Sequence, residues 1–143
     1  EGAVAAALAA PPADAIAREE LPGPTGELNR LSRYPRGPFL CLGPGAQAAR
    51  AQAGAVRAGG ATAVEAPDLP ADALTRLSPL AGALWWGEAG AGRGYDRALA
   101  GRDGPVVALI TEVPGPERLC LERHLCVDTT ASGGNARLLA AMS

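Results

Sequence analysis

If this chain does chemistry, the place to look first is a glycine turn. Gly43-Pro44-Gly45-Ala46-Gln47-Ala48 fits G-x-G-x-x-A. It directly follows the apolar run Phe39-Leu40-Cys41-Leu42 and opens a stretch, Ala46 to Ala58, whose one breaker is Gly54. Strand, glycine turn and helix in that order can hold a pyrophosphate against the backbone N–H groups of a helix N-terminus. Glu65 ends the next β-like run about 20 residues on, where a carboxylate would meet ribose hydroxyls. Gly43, Gly45 and Glu65 are therefore the candidate cofactor-binding residues. Pro44, however, has no N–H to offer a phosphate. A structural glycine turn would use the same residues, and nothing later in the chain supplies substrate chemistry.

The remaining reactive side chains are scattered. His124, the single histidine, sits in a strand-like run without triad partners. Cys120 and Cys126 flank it, but that spacing matches no metal-ligand pattern. All three cysteines (Cys41, Cys120 and Cys126) have apolar neighbours, which predicts buried free thiols in a reducing cytoplasm rather than disulfides or nucleophiles. Trp85-Trp86 should place one ring on each face of a strand. Glu117, Glu122, Asp96 and Asp103 read as solvated helix faces and turns.

A second kind of site lies at the end of the chain. In Val127-Asp128-Thr129-Thr130-Ala131-Ser132-Gly133-Gly134-Asn135-Ala136, Asp128, Thr129, Thr130, Ser132 and Asn135 carry hydrogen-bonding groups. Gly133-Gly134 lets a foreign surface come close, and apolar Leu138, Leu139 and Met142 follow. The pattern suits a tail docked on another surface. It also suits a last strand and short amphipathic helix closing its own domain.

The elements that must position these residues follow from composition and pattern. The 143 residues suffice for a substantial core, and 48% are apolar but only 3% aromatic, so that core is built of Ala, Leu and Val. All 13 basic residues are Arg, and the net charge of −2 is spread along the chain, which gives no electrostatic case for nucleic acid or an anionic membrane. The apolar residues 3–10 are too few to insert in a bilayer. The chain opens on Glu1 and its single methionine is Met142, so it is expected to be a piece of something longer.

Residues 1–20 read as an Ala-rich helical segment, interrupted at Pro11-Pro12 and restarting over Asp14 to Glu20. Residues 21–38 read as a Pro/Gly-rich arm on which Leu28, Leu31 and Tyr34 recur, suited to a surface loop or an arm exchanged in a dimer. From Phe39 onward short apolar runs alternate with helical stretches, ending on a predicted strand from His124 to Thr129. Strands apolar on both faces mean an α/β fold: a Rossmann-like open parallel sheet of about five strands over residues 39–143, with a docking tail over 126–143.

Leu21-Pro-Gly-Pro-Thr-Gly-Glu-Leu-Asn-Arg, Pro35 to Leu42, and Glu117 to Arg123 running into the Val127–Ala136 segment closely resemble the C-terminal region of proline utilization A. The resemblance spans residues 21 to 139. It implies a parent enzyme whose FAD domain oxidises proline to pyrroline-5-carboxylate and whose NAD-dependent domain oxidises glutamate semialdehyde to glutamate. Longer members carry an extra, non-catalytic domain resembling the NAD-binding domain of aldehyde dehydrogenases. Its closing motif reaches the dehydrogenase domain, of the same polypeptide or of a dimer mate, and helps seal the tunnel for the intermediate. The present chain lacks the family's glycine-flanked catalytic Cys and its activating Glu, so the resemblance points to that extra domain, without a cofactor or metal of its own. Two departures stand out: Asp128 replaces the usual Asn, and Arg137 sits where small polar residues are common.

Overall fold

A computed structural model describes residues 2–9 and 14–128. These residues divide into two compact units, one of residues 2–9, 14 and 35–121, the other of residues 15–34 and 122–128.

The first unit is built on a four-stranded parallel sheet. Its strands are β3 (Phe39–Cys41), β4 (Ala63–Glu65), β5 (Gly82–Leu84) and β6 (Ala108–Ile110), in the order β4-β3-β5-β6. Alternate side chains leave opposite faces of a strand, and both faces here are covered. Leu40, Ala83 and Val64 point into a core shared with Leu69, Leu74, Trp85 and Leu99. Phe39, Cys41, Ala63, Leu84 and Ile110 point into the other, with Ala49, Ala53, Val56 and Leu119. That two-sided burial is why the strands read as unbroken apolar runs.

Helix α2 (Gly45–Ala58) buries Ala49, Gln52, Ala53 and Val56, one stripe at helical spacing. Helix α3 (Ala89–Ala100) begins earlier than its glycines suggest. Gly92 lets the Trp85 ring pack close, since a Cβ at that position would come within 3.1 Å of it. A 3-10 turn (Ala71–Thr75) and the short helix α4 (Pro116–Leu119) complete the connections. Helix α1 (Gly2–Leu8) is the Ala-rich helix expected at the start, and its Leu8 is fully buried in the first core.

The second unit departs from expectation. The helix expected over Asp14 to Glu20 is a strand, β1 (Ala17–Leu21). It pairs antiparallel with β2 (Glu27–Pro35), from Ala17↔Arg33 to Leu21↔Asn29. The expected irregular arm over 21–38 is therefore mostly strand. Its Pro and Gly residues cluster in the connection between β1 and β2, where Gly26 takes φ 91° and the Glu27 N–H returns to the Pro24 carbonyl at 3.0 Å. The breakers mark a turn, and cross-strand pairing overrides the helical tendency of Arg18-Glu19-Glu20.

The last strand, β7 (Cys120–Asp128), is longer than predicted and does not join the parallel sheet, which has four strands among the described residues. It lies beside β2 in the order β1-β2-β7. Arg33 meets Glu122 at 2.9 Å and Glu27 meets Cys126 at 2.8 Å, so the two strands run in opposite directions. Charged residues at Glu122, Arg123 and Asp128 could not enter a sheet buried on both faces, and residues 121 to 126 are exposed.

Candidate functional site

In the parallel sheet the chain enters at β3, adds β4 on one side and then crosses to add β5 and β6 on the other. The strand order thus reverses between β3 and β5, and the crevice beyond their carboxyl ends is where an open α/β sheet receives ligands. The loop after β3, Leu42 to Pro44, and the loop after β5, Trp85 to Glu88, border it. Sequence pattern and topology agree on the place.

The turn that borders it is held by the chain's own side chains. Gly43 adopts φ 99° and Gly45 φ 71°, conformations open to glycine. Gln52, fully buried on the inner stripe of α2, donates its amide Nε2 to the Gly43 carbonyl at 2.7 Å and accepts the Gly43 N–H through Oε1 at 3.0 Å. The Trp86 N–H donates to the same carbonyl at 3.0 Å. Every backbone polar group of Gly43 is therefore satisfied internally, and Pro44 has no N–H. Trp85 packs on the other side, donating Nε1–H to the Glu88 carbonyl at 3.0 Å and meeting the Tyr95 ring at 5.1 Å between centroids. Gly87 fits only as glycine, since a Cβ would come within 3.1 Å of Pro44 and collide with the Trp85 ring.

Glu65 is brought close to this turn, since it pairs in register with Cys41 at the end of β3. Its carboxylate accepts from Arg57 Nη1 at 3.3 Å, and Arg57 Nη2 donates to the Ala63 carbonyl at 3.2 Å, tying α2 to β4. The three predicted cofactor residues thus share one end of the sheet. Two of the loop positions offer no N–H, and the carboxylate has a cation. Gln52 was the residue the glycine pattern did not reveal. Its signal was a lone amide among Ala49, Ala53 and Val56 on the buried stripe.

The cysteines divide. Cys41 is fully buried, and burial pushes its thiol up to about 12, with Glu65 adding to the shift and Arg57 opposing it. It stays protonated near neutrality and is no nucleophile. Cys120 is half-buried, 3.7 Å from the Gly59 carbonyl. Cys126 is exposed, contrary to the expectation of burial, because it lies on the open β7 strand rather than in the parallel sheet. Its thiol donates to Glu27 Oε1 at 2.8 Å, and that hydrogen bond is the main cause of a raised pKa. His124 is exposed on the same strand. Trp85 and Trp86 do face opposite cores, and the Trp86 Nε1–H donates to the Glu112 carbonyl at 3.1 Å.

Leu28, Leu31 and Tyr34, the residues expected on an exchanged arm, are half-buried and sit on β2, with Leu31 on the face opposite the other two. Of the tail residues expected to dock, Asp128 is exposed at the end of β7. Thr129, Thr130, Ser132, Gly133, Gly134 and Asn135 lie outside the described residues. Among the described residues no group of three His, Cys, Asp or Glu is placed to hold a metal ion, and no helix is long and apolar enough to cross a membrane.

No family model matches. The bifunctional protein PutA of Salmonella typhimurium is 34% identical over 143 aligned positions, which take in 83% of this chain and 11% of that protein. PutA of Escherichia coli K12 is 33% identical over the same shares, and PutA of Rhizobium meliloti is 31% identical over 85% of this chain and 12% of its own. Crystal structures of mutant forms of Bradyrhizobium japonicum Proline Utilization A superpose with a TM-score of 0.54 at 28% identity, covering 69% of this chain and 14% of theirs. The chain therefore spans about a tenth of the length of the curated relatives it matches.

Proposed function

This chain is homologous to a segment of the PutA proteins, and from that premise we propose that it is a non-catalytic domain of a bifunctional proline-catabolic enzyme. The parent would oxidise proline to glutamate by way of pyrroline-5-carboxylate and glutamate semialdehyde in the cytoplasm, with FAD and NAD held by its other domains. The tail beyond β7, Thr129 to Asn135 above all, would dock on the dehydrogenase domain and help close the tunnel used by the intermediate.

The observation that carries the non-catalytic reading is the Gln52 clamp. A domain with the topology of a dinucleotide binder has spent the first glycine of its phosphate turn on its own side chain. The protonated, buried Cys41 supports the same reading, because a thiol held at about 12 supplies no thiolate for aldehyde chemistry.

Two measurements test the proposal. Removing residues 129–143 from the full-length parent should lower coupled proline-to-glutamate flux several-fold while leaving proline oxidation unchanged. Equal flux with and without those residues rejects the lid. Calorimetric titration of this chain with NAD should show no binding tighter than about 1 mM, near −4 kcal/mol. Tighter binding, weakened by substitution at Gly45, would restore the dinucleotide reading.

A further inference from the structure

We draw no further inference here: the strongest candidate, the apolar edge of the parallel sheet at β6, where Ala108 lies exposed between the exposed side chains of Val106 and Val113, carries nothing because nothing among the described residues shows what covers it.

Discussion

The two units of this chain use β-structure in opposite ways. In the parallel sheet the strands are three residues long, covered on both faces and almost free of charge. In the β1-β2-β7 sheet two of the strands are nine residues long and carry charged residues, with β2 mostly half-buried and β7 mostly exposed. The first arrangement buries side chains for cohesion, while the second displays them. The pattern that looks most like a ligand site, the glycine turn, belongs to the first, and there Gln52 ties Gly43 to α2.

The contrast is most sharply broken by truncating one leucine in each region. Leu42 is fully buried in the first core and Leu125 is half exposed on β7. Leu42→Ala should cost about 2–5 kcal/mol, the transfer term plus the cavity it leaves. Leu125→Ala should fall within about 0.5 kcal/mol, as exposed positions do. Urea denaturation of both variants reads the difference, and comparable losses would mean that the open sheet is as tightly packed as the parallel one.

Gln52 comes next in size. Gln52→Ala removes the acceptor of the Gly43 N–H and one of the two donors to its carbonyl, and leaves a buried N–H without an acceptor, a loss of about 1–3 kcal/mol. Arg33→Ala removes an exposed pair with Glu122 on the other sheet and should change stability by less than about 1 kcal/mol. If the glycine turn were poised for phosphate rather than for cohesion, Gln52→Ala would cost little stability, and denaturation midpoints would separate the two cases.

How much of this was legible in the sequence depended on whether neighbours in the chain decided the outcome. Phe39 to Leu42, Gly82 to Leu84 and Ala108 to Ile110 declare themselves as buried strands, because burial on both faces demands apolar residues without a break. The position of the glycine turn was legible for the same reason. The clamp on Gly43 was not, since Gln52 lies a full two turns into α2 and reads as one polar residue among alanines. Arg18-Glu19-Glu20 reads as helix because helical tendency is local, whereas its pairing with Arg30 to Ser32 is not. β7 was foreseen as a strand but placed in the wrong sheet. Its run Glu122-Arg123-His124 carries polar groups to both faces, which a sheet buried on both sides does not admit.

The smallest effect concerns the thiols, which sample both regions. Accessibility orders them Cys126, Cys120, Cys41, and a disulfide-exchange reagent should modify them in that order under native conditions. Cys126 should nonetheless react more slowly near pH 8 than a free cysteine does. Its hydrogen bond to Glu27 raises its pKa, and only the thiolate attacks. The sign follows from charge: a carboxylate accepting the S–H proton favours the protonated form, so the thiolate fraction at a given pH falls. Glu27→Gln removes the charge, lowers the Cys126 pKa towards its ordinary value and should speed modification a few-fold below pH 9, with less effect well above it. Cys41, shielded by both α2 and the sheet, should stay unmodified until the fold opens. Modification of Cys41 at the rate of Cys126 would erase the distinction between a sheet that encloses its side chains and one that presents them.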